Sequence, residues 1–96
     1  MEMKNLFKAE KGLIRVKLDI DKNIIKAASI TGDFFIIPEQ NINVLEDSLK
    51  GIEFNKEGVE KAVDKFYEAG SITPFVTRDD FIVSIMGAKN DENKTD

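Results

Sequence analysis

Two carboxylates flank a pair of adjacent aromatic residues, and this stretch of the sequence comes nearest to acid–base chemistry. Asp33 precedes Phe34 and Phe35, and Glu39 follows them after Pro38. A small hydrolase could use Asp33 and Glu39 as general acid and base, but no histidine or lysine stands at a recognisable catalytic spacing from them. A structural role is favoured, in which Asp33 accepts backbone donors in a Gly-Asp turn and Glu39 lies in the first turn of a helix.

The residue types that are missing exclude several further chemistries. The chain has no cysteine and no histidine, which removes thiolate nucleophiles, disulfides, iron–sulfur ligation and triads with a histidine base. Zinc sites are usually built from these two residue types, and the adjacent Asp79 and Asp80 are more typical of a helix start than of a metal site. The six glycines match neither the dinucleotide-binding nor the P-loop spacing. We therefore assign no catalytic residue and no metal ligand, and we expect the chain alone to bind no cofactor.

Length and composition indicate a single soluble domain. The chain has 96 residues, of which 42% are hydrophobic and 33% charged, a balance typical of globular proteins. No apolar run approaches the roughly 20 residues that a membrane-spanning helix needs, and the N-terminal residues lack the apolar centre of a signal peptide. We expect a cytoplasmic protein with no membrane partner.

Charge is distributed unevenly along the chain. The net charge of −4 argues against a nucleic-acid partner. Residues 1–17 nevertheless carry five basic residues against two acidic ones, a local charge of +3 that leaves −7 for the remainder. This basic strip could face an anionic ligand or an acidic partner surface, or its lysines could simply be solvated on the outer face of a strand.

A β-hairpin is the clearest element of the first half of the chain. Residues 1–12 look extended, and the strict alternation of residues 13–20 then predicts a half-buried antiparallel strand. A turn over residues 21–23 leads to a second strand over residues 24–31, with a twist or a bulge near Lys26 to reconcile its irregular pattern. The inward-facing side chains of the first strand are expected to be Ile14, Val16, Leu18 and Ile20.

The aromatic segment after this hairpin allows more than one conformation. Gly32 and Asp33 either close a second hairpin or end the second strand in a loop, and residues 34–37 read as a short strand covered on both sides. Because side chains alternate across a strand, Phe34 and Phe35 cannot share one core unless the backbone bulges or both faces are covered. Two interpretations stay open: both rings pack in the core, or one packs while the other is offered to a partner.

Two helices are predicted after the aromatic segment. The first runs from residue 39 or 40 to residue 50 and ends at Gly51. The second begins after the N-cap Asn55 and ends at Gly70. Its apolar stripe has the i, i+3, i+4, i+7 spacing of a buried helix face and consists of Val59, Ala62, Val63 and Phe66.

A connection and a third helix complete the domain. Residues 71–76 are expected to carry Ile72 and Phe75 into the core, and Thr77 with Asp80 resembles a capping box for a helix over residues 78–86. These elements predict an α+β fold, with a small antiparallel sheet of two or three strands, including the N-terminal hairpin, packed against about three helices. Residues 1–88 would form a single domain, and residues 89–96 would form a disordered polar tail.

Three short motifs carry a resemblance to a known family. They are Lys11-Gly12-Leu13-Ile14-Arg15-Val16, then Ile30-Thr31-Gly32-Asp33-Phe34-Phe35 followed by Pro38, and the helix end Leu45-Glu46 to Leu49-Lys50-Gly51. With them, residues 8–54 resemble the C-terminal accessory domain of lipoate-protein ligases, here as a free-standing small subunit. The match weakens beyond Phe54 and leaves the role of the third helix open.

The resemblance implies a function that the residues alone do not. It implies a non-catalytic subunit of a two-component lipoate-protein ligase, a heterodimer in which a large catalytic subunit holds ATP, Mg and lipoate. The small subunit would enable formation of lipoyl-adenylate before the lipoyl group is transferred to a lysine of an acceptor domain, which it would contact only indirectly. No catalytic residue follows from the resemblance, and the chain by itself would be an incomplete enzyme.

The resemblance also assigns candidate residues. Gly32, Asp33, Phe34 and Phe35 match the signature turn of the family and are expected to form the subunit interface or to shape the site. The basic residues in and just before the first motif, which would place positive charge near the adenylate phosphates, are Lys8, Lys11 and Arg15.

An alternative function is a scaffold or adaptor with no role in adenylation. The accessory fold resembles that of iron–sulfur scaffold and sulfur-acceptor proteins, which work through cysteine. Because this chain has none, such a relative would act by protein–protein interaction alone.

Overall fold

A computed structural model describes residues 1–90 and shows a four-stranded antiparallel sheet whose strand order is β3-β2-β1-β4. Three helices pack on one face of this sheet, and the other face is open. The strands are β1 (Glu2–Ala9), β2 (Gly12–Asp21), β3 (Ile24–Asp33) and β4 (Lys89–Asn90), and the helices are α1 (Ile42–Leu49), preceded by a 3-10 turn (Glu39–Asn41), α2 (Lys56–Glu68) and α3 (Arg78–Met86).

The predicted hairpin is confirmed as β2 and β3. Its turn residues Lys22 and Asn23 both have positive φ, 51° and 65°, the backbone conformation of tight hairpin turns. Asp19 pairs with Ala27 and Ile20 with Ile25, so Lys26 is the extra residue of the predicted bulge. The bulge restores the alternation along β3. The predicted inward side chains of β2 are all buried, namely Ile14, Val16, Leu18 and Ile20.

The sheet has four strands, although the sequence predicted two or three. The N-terminal extended stretch is the long strand β1, which pairs with β2 from Glu2 opposite Asp19 to Ala9 opposite Gly12. Polar Asn5 on its inward face and apolar Leu6 on its outward face interrupt the alternation, so the pattern that predicts a strand is weak. The two-residue strand β4 pairs with β1 and occupies the first two positions of the predicted tail. Residues 91–96 lie outside the described residues.

The segment after β3 is not a third hairpin strand. Gly32 and Asp33 are the last two residues of β3, and an irregular segment follows. Of the two predicted alternatives, the second hairpin is wrong and the end of the strand in a loop is confirmed. Residues 34–36 are irregular, and Ile37 forms only an isolated bridge with Ile72. The peptide bond before Pro38 is cis.

The connection between α2 and α3 also differs from its prediction. Ile72 and Phe75 are exposed, whereas Ser71 and Val76 are buried in their place. A backbone bridge between Ile37 and Ile72 pairs this connection with the segment before α1, a contact between distant segments that the sequence of residues 71–76 does not indicate.

The helix termini follow the sequence signals. The side chain of Asn55 accepts a hydrogen bond from the backbone N–H of Gly58 at 2.8 Å. Thr77 and Asp80 form the predicted capping box at the start of α3. Gly51 adopts a positive φ of 88° directly after α1, as a helix-ending glycine does.

A single core lies between the sheet and the helices. Its largest buried side chains include Phe66 of α2 and Phe81 of α3, which meet edge-on at 5.6 Å. The edge strand β3 is blocked by α1, because the backbone N–H of Ile30 donates to Glu46 Oε2 at 2.8 Å. None of the helices in residues 1–90 is long and apolar enough to cross a membrane.

Candidate functional site: an apolar ridge and a basic sheet face

Four large apolar side chains lie together on the surface beyond the end of β3. They belong to the irregular segment before α1 and to the connection before α3. We call them the apolar ridge: Phe35, Ile37, Ile72 and Phe75 are 64%, 55%, 57% and 46% exposed. Contiguous exposed apolar side chains of this size are typical of protein interaction sites.

Backbone hydrogen bonds hold the two segments of the ridge together. The N–H of Ile37 donates to the carbonyl of Ile72, and the N–H of Ile72 donates back to Ile37, each at 2.9 Å. Asn41 Nδ2 donates to the hydroxyl of Ser71 at 2.9 Å. The ridge is therefore a fixed surface rather than two independent loops.

The two adjacent phenylalanines have different environments. Phe34 is partly buried, and its ring meets that of Phe81 edge-on at 5.5 Å. Phe35 points away from the core, and its ring lies 5.8 Å from that of Phe75. Of the two interpretations left open by the sequence, the structure supports one packed ring and one exposed ring.

Gly32 and Asp33 shape this region in different ways. Gly32 has a φ of 146°, and a Cβ there would overlap the carbonyl oxygen of Leu13 on the neighbouring strand. Gly32 therefore allows the close approach of β2 and β3 and does not itself offer a side chain to a partner. Asp33 is exposed at the end of β3, opposite Leu13.

The open face of the sheet forms a shallow concavity of about 740 Å³. Four cations line it on three strands, together with one apolar side chain and two hydroxyls. We call this surface the basic face: Lys4, Leu6, Arg15, Lys17, Ser29, Thr31 and Lys89.

Three lysines of the basic face lie in one cross-strand row. Lys4 on β1 is directly opposite Lys17 on β2 and directly opposite Lys89 on β4. Glu2 partly compensates this charge, with oxygens 3.7 Å from Lys4 Nζ and 3.5 Å from Lys17 Nζ. Within residues 1–90, Arg15 and Lys89 form no ion pair.

The structure separates the three basic residues that the sequence singled out. Arg15 lines the concavity, whereas Lys8 and Lys11 do not. Lys8 is exposed opposite Leu13, and Lys11 is exposed in the turn between β1 and β2. These two lie at the end of the sheet that carries Asp33, and therefore at the same end as the ridge.

Sequence reasoning counted Lys4 and Lys17 in the basic strip of residues 1–17 but did not single them out as site candidates, and it missed Lys89. The alternation of β2 shows that Lys17 shares a face with Arg15. Pairing β1 with β2 would have added Lys4. Lys89 could not be placed, because a two-residue strand gives no periodic signal.

The two carboxylates considered for acid–base chemistry, Asp33 and Glu39, do not line a common cavity. Glu39 lines a small cavity of about 240 Å³ beside Phe35, and Asp33 is not among the residues that line it. Asp80 belongs to the capping box of α3. No cluster of three potential metal-ligating side chains occurs within residues 1–90.

The perturbed titratable groups serve structural contacts. A hydrogen bond from Arg78 lowers the pKa of Asp64 and raises that of Arg78. Arg78 Nε donates to Asp64 Oδ1 at 2.6 Å, and this contact joins α3 to α2. Burial raises the pKa of the Tyr67 hydroxyl, which shares a hydrogen bond with Thr73 at 2.8 Å. None of these groups lines the basic face or belongs to the ridge.

Comparison with known proteins decides the family. The family model described as the bacterial lipoate protein ligase C-terminus matches residues 1–85. The chain belongs to this lipoate protein ligase C-terminal family. Lipoate-protein ligase A subunit 2 of Thermoplasma acidophilum is 49% identical over 79 residues, which are 82% of this chain and 82% of that relative.

A solved structure supports the same assignment. It is described as an archaeal lipoylation system from Thermoplasma acidophilum, comprising a bi-partite lipoate protein ligase and its E2 lipoyl domain. One chain of that structure is 47% identical, with a TM-score of 0.82, over 88% of this chain and 94% of the matched chain.

The family match is longer than the sequence resemblance. The resemblance covered residues 8–54, whereas the lipoate protein ligase C-terminal model extends through α2 and almost to the end of α3. The third helix therefore belongs to the family fold, which corrects the expectation that the match ends near Phe54.

Proposed function

We propose that this chain is the non-catalytic small subunit of a two-component lipoate-protein ligase. It binds a large catalytic subunit and enables ATP-dependent formation of lipoyl-adenylate, before the lipoyl group passes to a lysine of an acceptor domain. The observation that carries the proposal is the similarity, over most of both chains, to a protein named as subunit 2 of such a ligase. The separate surroundings of Asp33 and Glu39, which do not line a common cavity, and the absence of cysteine and histidine are consistent with it.

The apolar ridge is the proposed anchor for the large subunit. Exposed aromatic side chains that pack into a partner's pocket dominate the binding energy of many interfaces. Phe35 is the most exposed member of the ridge, at 64%. Because Phe75 and the bridge between residues 37 and 72 hold it in place, little conformational entropy is lost when it docks.

Positive charge is the second proposed contribution. Adenylation joins two anions, so cations near the phosphates and exclusion of water lower its barrier. Lys8, Lys11 and Arg15 are the candidates. Lys8 and Lys11 lie at the ridge end of the sheet, where a large subunit docked on the ridge would be adjacent to them.

The substrates bind to the complex through its large subunit. ATP, Mg and lipoate are held by the large subunit, and this chain alone binds none of them. The acceptor domain is an indirect partner of this chain, and the heterodimer acts in the cytoplasm.

Reconstitution tests this function. The purified large subunit is supplied with lipoate, ATP and Mg, with and without this chain, and the release of pyrophosphate is measured together with lipoyl-adenylate. The proposal expects product only when both chains are present. Equal adenylate without the small chain would refute it and would favour the adaptor function instead.

A further inference from the structure

The lysine row of the basic face is unfavourable for the isolated chain. Like charges directly opposite on neighbouring strands destabilise a sheet, and Lys4 has a lysine opposite it on each side. Glu2 offsets part of this repulsion, but its side chain is 55% exposed, so water weakens the attraction. The row is therefore short of negative charge until a partner supplies it.

The apolar ridge is too small to form a stable interface by itself. Its four side chains expose on the order of 400 Å² of apolar surface, whereas a specific protein–protein interface buries about 800 Å² on each partner. A large subunit anchored on the ridge must therefore cover additional surface of this chain.

The basic face is continuous with the ridge. Thr31 lines the large concavity and also lines the small cavity beside Phe35. A partner seated on Phe35 can therefore extend across Thr31 and Arg15 to the lysine row without crossing the helical layer.

The shape of the basic face fits a protein surface better than a small anion. Small ligands bind in clefts that enclose most of their surface, but this concavity is shallow and open to solvent. The row from β4 to β2 spans two strand spacings, roughly 10 Å, which suits several carboxylates carried by one protein.

We propose that the interface with the large subunit has a second, electrostatic half, in which an acidic surface of that subunit covers the lysine row of Lys4, Lys17 and Lys89. This inference rests on the proposed function. The ridge anchors the complex and slows its dissociation, whereas the lysine row steers the encounter and orients the two subunits.

Association kinetics at a series of salt concentrations test this inference. The variant Lys4→Gln with Lys17→Gln removes two charges from the row. The matched control is Lys56→Gln with Lys65→Gln, which removes two exposed charges from α2. At low salt, the row variant is expected to bind the purified large subunit about tenfold more slowly, with a shallower dependence on salt. The control is expected to keep the wild-type rate.

Each outcome is decisive. An unchanged association rate and salt dependence in the row variant would overturn the electrostatic half of the interface. The proposed function would still stand in that case, provided that the wild-type chains form a complex and make adenylate. An equal effect in the control would also overturn the electrostatic half, because only overall charge would matter. If the wild-type chains do not associate, the proposed function and this inference fail together. The melting temperature of the free row variant, expected not to fall, shows that its fold is retained.

Discussion

Phe34 meets Phe81 edge-on, with ring centroids 5.5 Å apart and ring planes at 90°. This contact places Phe34 against the core and, because neighbouring side chains diverge, directs Phe35 to the surface. One short segment therefore ties the ridge to α3 and presents its most exposed ring.

Truncation of the two phenylalanines should separate folding from binding. Phe35→Ala is expected to leave the free energy of unfolding within about 0.5 kcal/mol of wild type and to weaken the complex with the large subunit about 30-fold. Phe34→Ala, the matched control, is expected to destabilise the chain by about 2 kcal/mol. Urea unfolding and titration calorimetry measure the two effects. Equal losses of stability and binding in Phe35→Ala would show that this ring is simply part of the core.

Charge reversal near the ridge end should slow activation. Lys11→Glu with Arg15→Glu is expected to lower the rate of lipoyl-adenylate formation in the saturated complex, because it reverses two of the positive charges that are proposed to act on the phosphates. Single-turnover kinetics at saturating small subunit separate this effect from weaker binding. An unchanged rate would remove these two residues from the proposed site.

Gly32 should tolerate no side chain. Gly32→Ala is expected to cost about 3 kcal/mol or more of the free energy of unfolding, since the new Cβ meets the Leu13 carbonyl at an unfavourable φ. Gly51→Ala is the control, because Gly51 also has a positive φ but open space around it, and about 1 kcal/mol is expected there. Denaturant titration compares them. Equal costs at the two positions would show that the close approach of β2 and β3 does not matter.

The contact between Asp64 and Arg78 should contribute to stability only above acidic pH. Hydrogen bonding to Arg78 lowers the pKa of Asp64 in the folded state below its ordinary value of 3.8. A carboxyl group whose pKa is lower in the folded state stabilises the fold at pH values above its pKa in the unfolded state. This contribution disappears as the pH falls through the pKa of the folded state. Asp64→Asn should therefore melt below wild type at pH 7, by a small margin that shrinks below about pH 4. A margin independent of pH would contradict this assignment.

The sequence predicted the elements whose side chains alternate or repeat clearly. The buried face of β2, the bulge at Lys26, the Asn55 cap and the capping box at Thr77 all depend on neighbours within a few residues. Such local signals predict the folded structure correctly because the tertiary contacts favour the same conformations.

The features that the sequence missed depend on contacts between distant segments. Ile72 and Phe75 were expected in the core, but both are exposed, Ile72 in a backbone bridge with Ile37 and Phe75 with its ring beside that of Phe35. The lysine row was missed for the same reason, since Lys4 and Lys89 are adjacent only through the pairing of β1 with β4. Composition and spacing do not contain such a pairing.

We propose that this chain completes another protein's adenylation site, and a titration of the large subunit with this chain is the sharpest test of that role. The initial rate of lipoyl-adenylate formation is measured at a fixed concentration of large subunit and increasing amounts of this chain, with this chain alone as a control. We expect an adenylation rate near zero without the chain and a rise that saturates at one small subunit per large subunit. The chain alone should form no product. A rate that does not depend on the added chain, or adenylate formed by the chain unaided, would contradict it.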